Sequence, residues 1–219
     1  MSTAAFSSTY HDPRNDLGRP SCGAEHRCLL PAIAAELDAL RVSPKRVFDL
    51  GCGNGAVADW LASRGFEVHG VDPSESGIAS ARRAFPHLEL RLGSAYDDLA
   101  AEFGQFPLVV SLEVVEHVYA PRKFAACVSD LLVPGGHALI STPYHGYLKN
   151  LALALTGKLD SHFTALWDHG HIKFWSRDTI TTLLREAGLE VLRIRRVGRI
   201  PPLAKTMLVV ARKPVRPGT

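Results

Sequence analysis

Cysteine is scarce. Four occur in 219 residues, at 22, 28, 52 and 127, and no two form a C-x-x-C pair. That spacing provides neither a disulfide framework nor a zinc site, so the chain reads as reduced. Long apolar runs are also missing, since none reaches the ~18 residues a membrane span needs. Met1–Tyr10 lacks the basic-then-apolar order of a secretion signal, and a cytoplasmic location is expected. There is no internal repeat and no sign of a second domain. The hydrophobic share of 46% and charged share of 21% are those of an ordinary globular chain. Residues 1–219 therefore read as one domain with a well-buried core.

Charge of both signs is present but unevenly placed. The net charge is +3, yet Glu190–Thr219 holds eight basic residues against Glu190 alone. A basic edge of this kind can meet nucleic acid, an anionic substrate or a membrane surface. Its structural reading is a solvated sheet edge protected from aggregation by lysine and arginine.

Residues 1–22, rich in Ser, Thr, Pro and Asp, show no period and read as a mobile arm or lid. Ala24–Arg41 carries Leu29, Ile33, Leu37 and Leu40 at helical spacing, with Pro31 expected in a first turn or at a break. Short apolar strands then alternate with helices. The strands are Arg46–Leu50, Glu67–Val71, Leu88–Leu92, Pro107–Leu112 and His137–Ser141; the helices are Ala56–Ser63, Ser74–Phe85 and Arg122–Leu132. This alternation predicts parallel βαβ units in a sheet covered on both faces. Tyr144–Trp175 interrupts the rhythm. A helix capped by Ser176 and stopped by Gly188 follows, and then two strands, Glu190–Val197 and Leu203–Arg212.

The first strand runs into Asp49-Leu50-Gly51-Cys52-Gly53-Asn54-Gly55, and Asp72 closes the second strand 21 residues beyond Gly51. Glycines between strand and helix let a ligand approach the backbone, and a carboxylate at the second strand's tip can hold a ribose. Cys52 reads as a small residue packed in the turn. The pattern also satisfies a dinucleotide fingerprint, with Ala56 in the third position, so a nicotinamide cofactor has to be weighed. Asp49 argues against it, because a carboxylate there would repel a pyrophosphate but attract an ammonium.

The blocks VFDLGCGNG, VHGVDPS, LVVSLEVVEHV and LLVPGGHALISTP, spanning residues 46–143, resemble the class I S-adenosylmethionine-dependent methyltransferases, closest in pattern to the O-methyltransferases of ubiquinone synthesis. The resemblance implies a Rossmann-like α/β fold: a seven-stranded, mostly parallel sheet with helices on both faces and an antiparallel last strand. It implies S-adenosyl-L-methionine as cofactor. Asp49, Gly51, Gly53, Asn54 and Gly55 would cradle the methionine end, Asp72 the ribose, and Pro73 the adenine slot. Ser94 and Ala95 stand where family members often place an acid near the adenine, and Glu113 closes the cofactor site at the fourth strand's tip. Pro134-Gly135-Gly136 reads as a turn.

Chemistry is expected beyond the carboxyl end of the fourth strand. His117 titrates near neutrality and is the first choice for a general base, with His171 as its partner. Glu113-x-x-Glu116-His117 followed by Asp168-His169-Gly170-His171 resembles the divalent-metal site of small-RNA 3′-end methyltransferases. Glu113, Glu116, His117 and His171 would then hold an ion such as Mg2+, which lowers the pKa of a bound hydroxyl. The bland reading leaves the two Glu as hydrogen-bonding partners of a loop. Tyr144, Tyr147, Phe163, Trp167, Phe174 and Trp175 make 144–175 a substrate-side insert, or a helical insert packed on itself. The expected function is O-methylation of a small quinol- or phenol-like acceptor. Ribose methylation at an RNA 3′ end and N-methylation of a small molecule are the alternatives, and nucleic acid is disfavoured as a partner because no RNA-binding module is added.

Overall fold

The computed structural model describes residues 24–163, 165–167 and 170–215. The expected arm at 1–22 lies outside them, as do Cys22, Asp168 and His169. Helix α1 (Ala24–Leu40) precedes β1 (Arg46–Leu50), α2 (Ala56–Ser63), β2 (Glu67–Asp72), α3 (Glu75–Ala84) and β3 (Glu89–Leu92). Then come α4 (Leu99–Phe103), β4 (Phe106–Leu112), α5 (Pro121–Leu131) and β5 (Leu132–Pro143). Helices α6 (Tyr147–Leu155) and α7 (Leu159–Phe163) form the insert; α8 (Arg177–Glu186), β6 (Glu190–Val197) and β7 (Thr206–Arg212) end the fold.

The strands lie in the order β3-β2-β1-β4-β5-β7-β6. Pairings are parallel from β3 to β5, and β7 runs antiparallel to both β5 and β6. Six strands thus share a direction, as expected. The apolar runs are explained by two cores, one on each face. Phe48, Leu50, Val109, Ile140 and Val209 bury against α5 and α8. Their strand neighbours Val47, Leu108, Val110, Leu139 and Val210 bury against Leu29, Ile33, Leu37, Ala58, Leu61 and Ile78 from α1, α2 and α3. Side chains alternate across a strand, so a strand buried on both faces has no polar positions to spare.

Local signals fix the helix starts. Ser74 accepts from the Gly77 amide at 3.1 Å, Ser176 and Thr179 form a reciprocal capping box, and Pro121 opens α5. Three expectations need correction. Pro31 lies inside α1, on its exposed side, neither in a first turn nor at a break. Packing of Leu29, Ile33 and Leu37 carries the helix through it. Strand β7 starts at Thr206, because Pro201–Leu203 winds into a 3-10 turn. A short helix, α4, fills the stretch between β3 and β4; Asp98 caps it, its carboxylate accepting from the Ala101 amide. Among the described residues, no helix is long and apolar enough to cross a membrane.

Candidate active site

After β1 the chain turns through Gly51, Gly53 and Gly55, at φ +89°, +51° and +79°. These left-handed conformations are cheap only for glycine. Sterics separate their duties. A Cβ on Gly51 would collide with Val114, and one on Gly55 would sit 3.0 Å from Ala81 and Leu90, but one on Gly53 would meet nothing within 4 Å. Gly53 is thus where backbone faces open space. Its amide donates to Asp72 Oδ2 at 2.9 Å, and the Ser74 amide donates to Oδ1 at 2.8 Å. The Gly51 and Cys52 amides both donate to the Val71 carbonyl, at 2.8 and 3.0 Å. Turn and β2 tip are therefore one laced unit. Burial raises the Asp72 carboxyl above its usual range, opposed by these two donors and by the charge of His117.

Asp49 lies beneath this turn, 1% exposed, and its Oδ2 has no hydrogen-bond partner among the described residues. Burial, reinforced by the Asp72 charge, pushes its carboxyl up to about 7. An orphaned buried carboxyl is a place for a cation. Asn54 turns its Oδ1 to the Ala56 amide at 3.2 Å, serving the start of α2. Pro73 stands exposed beside Asp72. Ser94 and Ala95 are half-buried, and Asp97 Oδ2 accepts from the Ser94 amide at 2.7 Å. Tyr96 bridges to the loop before α5, its hydroxyl accepting from the Ala120 amide at 3.0 Å.

Across the crevice, β4 is followed directly by Glu113, a non-glycine residue at φ +55°. Such a conformation has to be held by its surroundings; here the Glu113 amide is held by the carbonyl and hydroxyl oxygens of Ser141 at 3.1 and 3.0 Å. Its Oε1 accepts from the hydroxyls of Ser141 and Thr206, both at 2.8 Å. Glu113 therefore faces β5 and β7. The residues that come together are Glu116, His117 and His171, whose nearest donor atoms all lie within 4.8 Å of one another. Glu116 is 1% exposed, its Oε1 4.0 Å from His171 Nε2, and burial plus the neighbouring Glu113 charge holds its carboxyl well above the usual range, opposed in part by Thr142. Burial and the charges of His117 and His162 lower His171 to about 4, so its imidazole is neutral at physiological pH.

The insert supplies the far wall. The Trp175 indole donates to the Val115 carbonyl at 3.1 Å, and the Ile172 and Lys173 amides both donate to the Glu116 carbonyl, at 2.9 and 3.0 Å. His145, His162, Phe163 and Phe174 pack ring on ring, with centroids 4.8–5.8 Å apart. Trp167 instead lies against the site, 6.2 Å from the ring of His117 and 5.4 Å from that of His171. Phe163 and Phe174 thus pack within the insert, whereas Trp167 packs on the imidazoles. Two residues went unnoticed in the sequence. Lys149, buried in α6, donates to the Tyr144 carbonyl at 2.7 Å, and burial and Arg199 lower it to about 8. Thr206 reaches Glu113 from β7. A lone lysine within Leu148–Leu155 was the available signal for the first; nothing marked the second.

Part of the basic edge is tied down from within. Arg193 and Arg195 both reach Glu36 on α1, Arg212 reaches Glu190, and Lys213 donates to the carbonyls of Ser129 and Leu132.

An open, mostly parallel sheet with a closing antiparallel strand, a glycine turn after β1 and an acid at the tip of β2 define a class I S-adenosylmethionine-dependent methyltransferase. The profile of a family described as a methyltransferase domain matches residues 24–194, and this chain belongs to that family. A ubiquinone biosynthesis O-methyltransferase of Dinoroseobacter shibae is 35% identical over 72% of this chain and 67% of its own length. One of Burkholderia pseudomallei is 31% identical over 81% of this chain and 78% of its own. The match covers as little as 60% of the length of another relative so named. The solved magnesium protoporphyrin IX methyltransferase of Synechocystis, with SAH bound, shares the fold at TM-score 0.64 and 18% identity, over 90% of each chain.

Proposed function

We propose that this chain transfers the methyl group of S-adenosyl-L-methionine to a hydroxyl of a small quinol- or phenol-like acceptor. The observation that carries the reading is the meeting of Glu116, His117 and His171 at the tip of β4, across the crevice from the glycine turn. The ubiquinone-pathway relatives support the acceptor class. Asp49 receives the cofactor's ammonium, because a buried carboxyl with an orphaned oxygen gains most from a positive partner. Gly51, Gly53, Asn54 and Gly55 fit the methionine end, Asp72 the ribose hydroxyls, and Pro73, Ser94 and Ala95 the adenine. His117 takes the acceptor's proton, with His171 beside it. Residues 144–175 serve as the acceptor wall of a single domain, and the unpaired thiols of Cys52 and Cys127 suit a cytoplasmic location.

A divalent metal fits the same cluster. Glu116 offers a buried carboxyl whose Oε1 already lies 4.0 Å from His171 Nε2, and His171 a neutral imidazole. Glu116, His117 and His171 would hold the ion, whose chemistry is to acidify a bound hydroxyl. Glu113, turned to Ser141 and Thr206, stays outside this set. Two imidazoles and one carboxylate suit Mn2+, Fe2+ or Zn2+ better than Mg2+.

The test is calorimetric binding of S-adenosylmethionine, then methyl transfer to a panel of catechols, repeated after chelation. Micromolar cofactor binding and a methoxy product are expected. Absence of binding refutes the cofactor assignment; binding with transfer only to amines or RNA refutes the acceptor. Full activity after chelation removes the metal.

A further inference from the structure

The segment ending the insert is fastened to the tip of β4 by backbone contacts that concern one nitrogen of one ring. His117 Nδ1 lies 3.2 Å from the carbonyl oxygen of Gly170. A carbonyl oxygen only accepts, so this contact requires a proton on Nδ1. In the neutral ring Nε2 then carries the lone pair. The carbonyl itself is held on both sides. Downstream, Ile172 and Lys173 donate to the Glu116 carbonyl. Upstream, the Gly170 amide donates to the Trp167 carbonyl at 3.0 Å. Gly170 is tight against that tryptophan: a Cβ on it would lie 2.9 Å from the Trp167 carbonyl oxygen and 3.1 Å from its ring. Any other residue at 170 would have to shift, and its carbonyl with it. The Trp167 ring that covers Gly170 also stands edge-on to His117, at 88°.

We infer that Gly170 is a positioning residue of the site, its carbonyl locking His117 in the Nδ1-protonated form so that Nε2 presents its lone pair to the acceptor hydroxyl or to a bound metal. This rests on His117 being the working residue, as proposed above, but the tautomer can be read without any reaction. A ring nitrogen fixed by a backbone carbonyl is the usual way a histidine is oriented as base or ligand, and loss of such a partner costs roughly 10–100-fold in metal affinity or activity.

Long-range 1H–15N spectra of histidine-labelled protein, with His117 assigned by comparison with H117Q, read the tautomer at a pH where the ring is neutral. A protonated-type Nδ1 and an unprotonated-type Nε2 are expected for His117. A ring protonated mainly on Nε2 overturns the inference whether or not any variant folds. In Gly170→Ala, the two forms should mix, and kcat should fall roughly 10–100-fold while the dissociation constant of S-adenosylmethionine stays within about twofold. An unchanged tautomer with unchanged kcat would equally overturn it. Failure of every acceptor would count against the proposed function alone, because the nitrogen shifts are measured on the free protein.

Discussion

The two halves of the crevice are built in different ways. On the cofactor side, Asp49, the three glycines and Asp72 fall within 24 consecutive residues, and the contacts among them are made by backbone amides of the turn and the tip of β2. On the proposed acceptor side, the surface is gathered from residues 113–117, 141–145, 167, 170–175 and 206, through side chains that reach over 28 to 93 positions of sequence. A site made of one turn leaves its steric requirements in consecutive letters. A site made by juxtaposition leaves residue types and no addresses. The difference also orders what substitutions should do: the acceptor side governs chemistry, and the cofactor side governs affinity and stability.

The largest effect is expected on the acceptor side. His117→Ala should lower kcat by about 10²–10⁴, the usual worth of a positioned general base, and leave cofactor affinity nearly unchanged because the ring does not hold the glycine turn. Single-turnover rates and calorimetry on one preparation check this. A matching loss of cofactor affinity would show that the two halves are not separable.

Asp72→Ala should weaken S-adenosylmethionine by about 100-fold or more. Besides a ribose partner, it deprives the Gly53 and Ser74 amides of their acceptor, and each buried orphan costs about 1–3 kcal/mol. Calorimetric titration reads this, and binding within threefold of the wild type would remove Asp72 from the site.

Asp49 should show the opposite balance between stability and binding. Its folded pKa, raised by burial and by Asp72 to about 7, exceeds the unfolded carboxylate value of about 3.9. The stability this group contributes is therefore fully present below about pH 4 and is lost as pH rises towards 7. Asp49→Asn removes that penalty, so the free protein should be more stable than the wild type at pH 8 by about 1–3 kcal/mol, with the gain disappearing near pH 4. The same variant should bind the cofactor poorly. Chemical denaturation at both pH values is the check; a destabilised variant at pH 8 would mean that Asp49 is paired in the free protein.

What could be read from the chain follows the same division. The strands themselves and the glycine turn were legible because buried strands and left-handed glycines restrict residue type at fixed spacing; the antiparallel ending came with the family resemblance. Helix α4 was missed because one turn of helix has too little periodicity to register. Glu113 was grouped with Glu116 by resemblance; its carboxyl does neighbour Glu116, and its Oε1 also takes the hydroxyls of Ser141 and Thr206. Those two tertiary partners carry no recognisable motif.

The smallest effect concerns the basic edge, which lies on neither side of the crevice. Glu36 is 3% exposed. Burial alone would raise its carboxyl, but hydrogen bonds and charge from Arg193 and Arg195 outweigh that and hold it below the usual range. A depressed folded pKa contributes stability above the unfolded value of about 4.3, lost as pH falls through the lower folded one. Both arginines are nearly half exposed, so solvent screens much of the gain. Glu36→Gln should therefore cost only about 1 kcal/mol at pH 7, and the difference should close below about pH 4 without any change in cofactor affinity. The same variant frees two guanidinium groups at the edge. If that edge met nucleic acid, its affinity for a short RNA at low salt would rise, since phosphate contacts are dominated by such charges. We expect no shift with either protein, because nucleic acid is not the proposed partner of this edge.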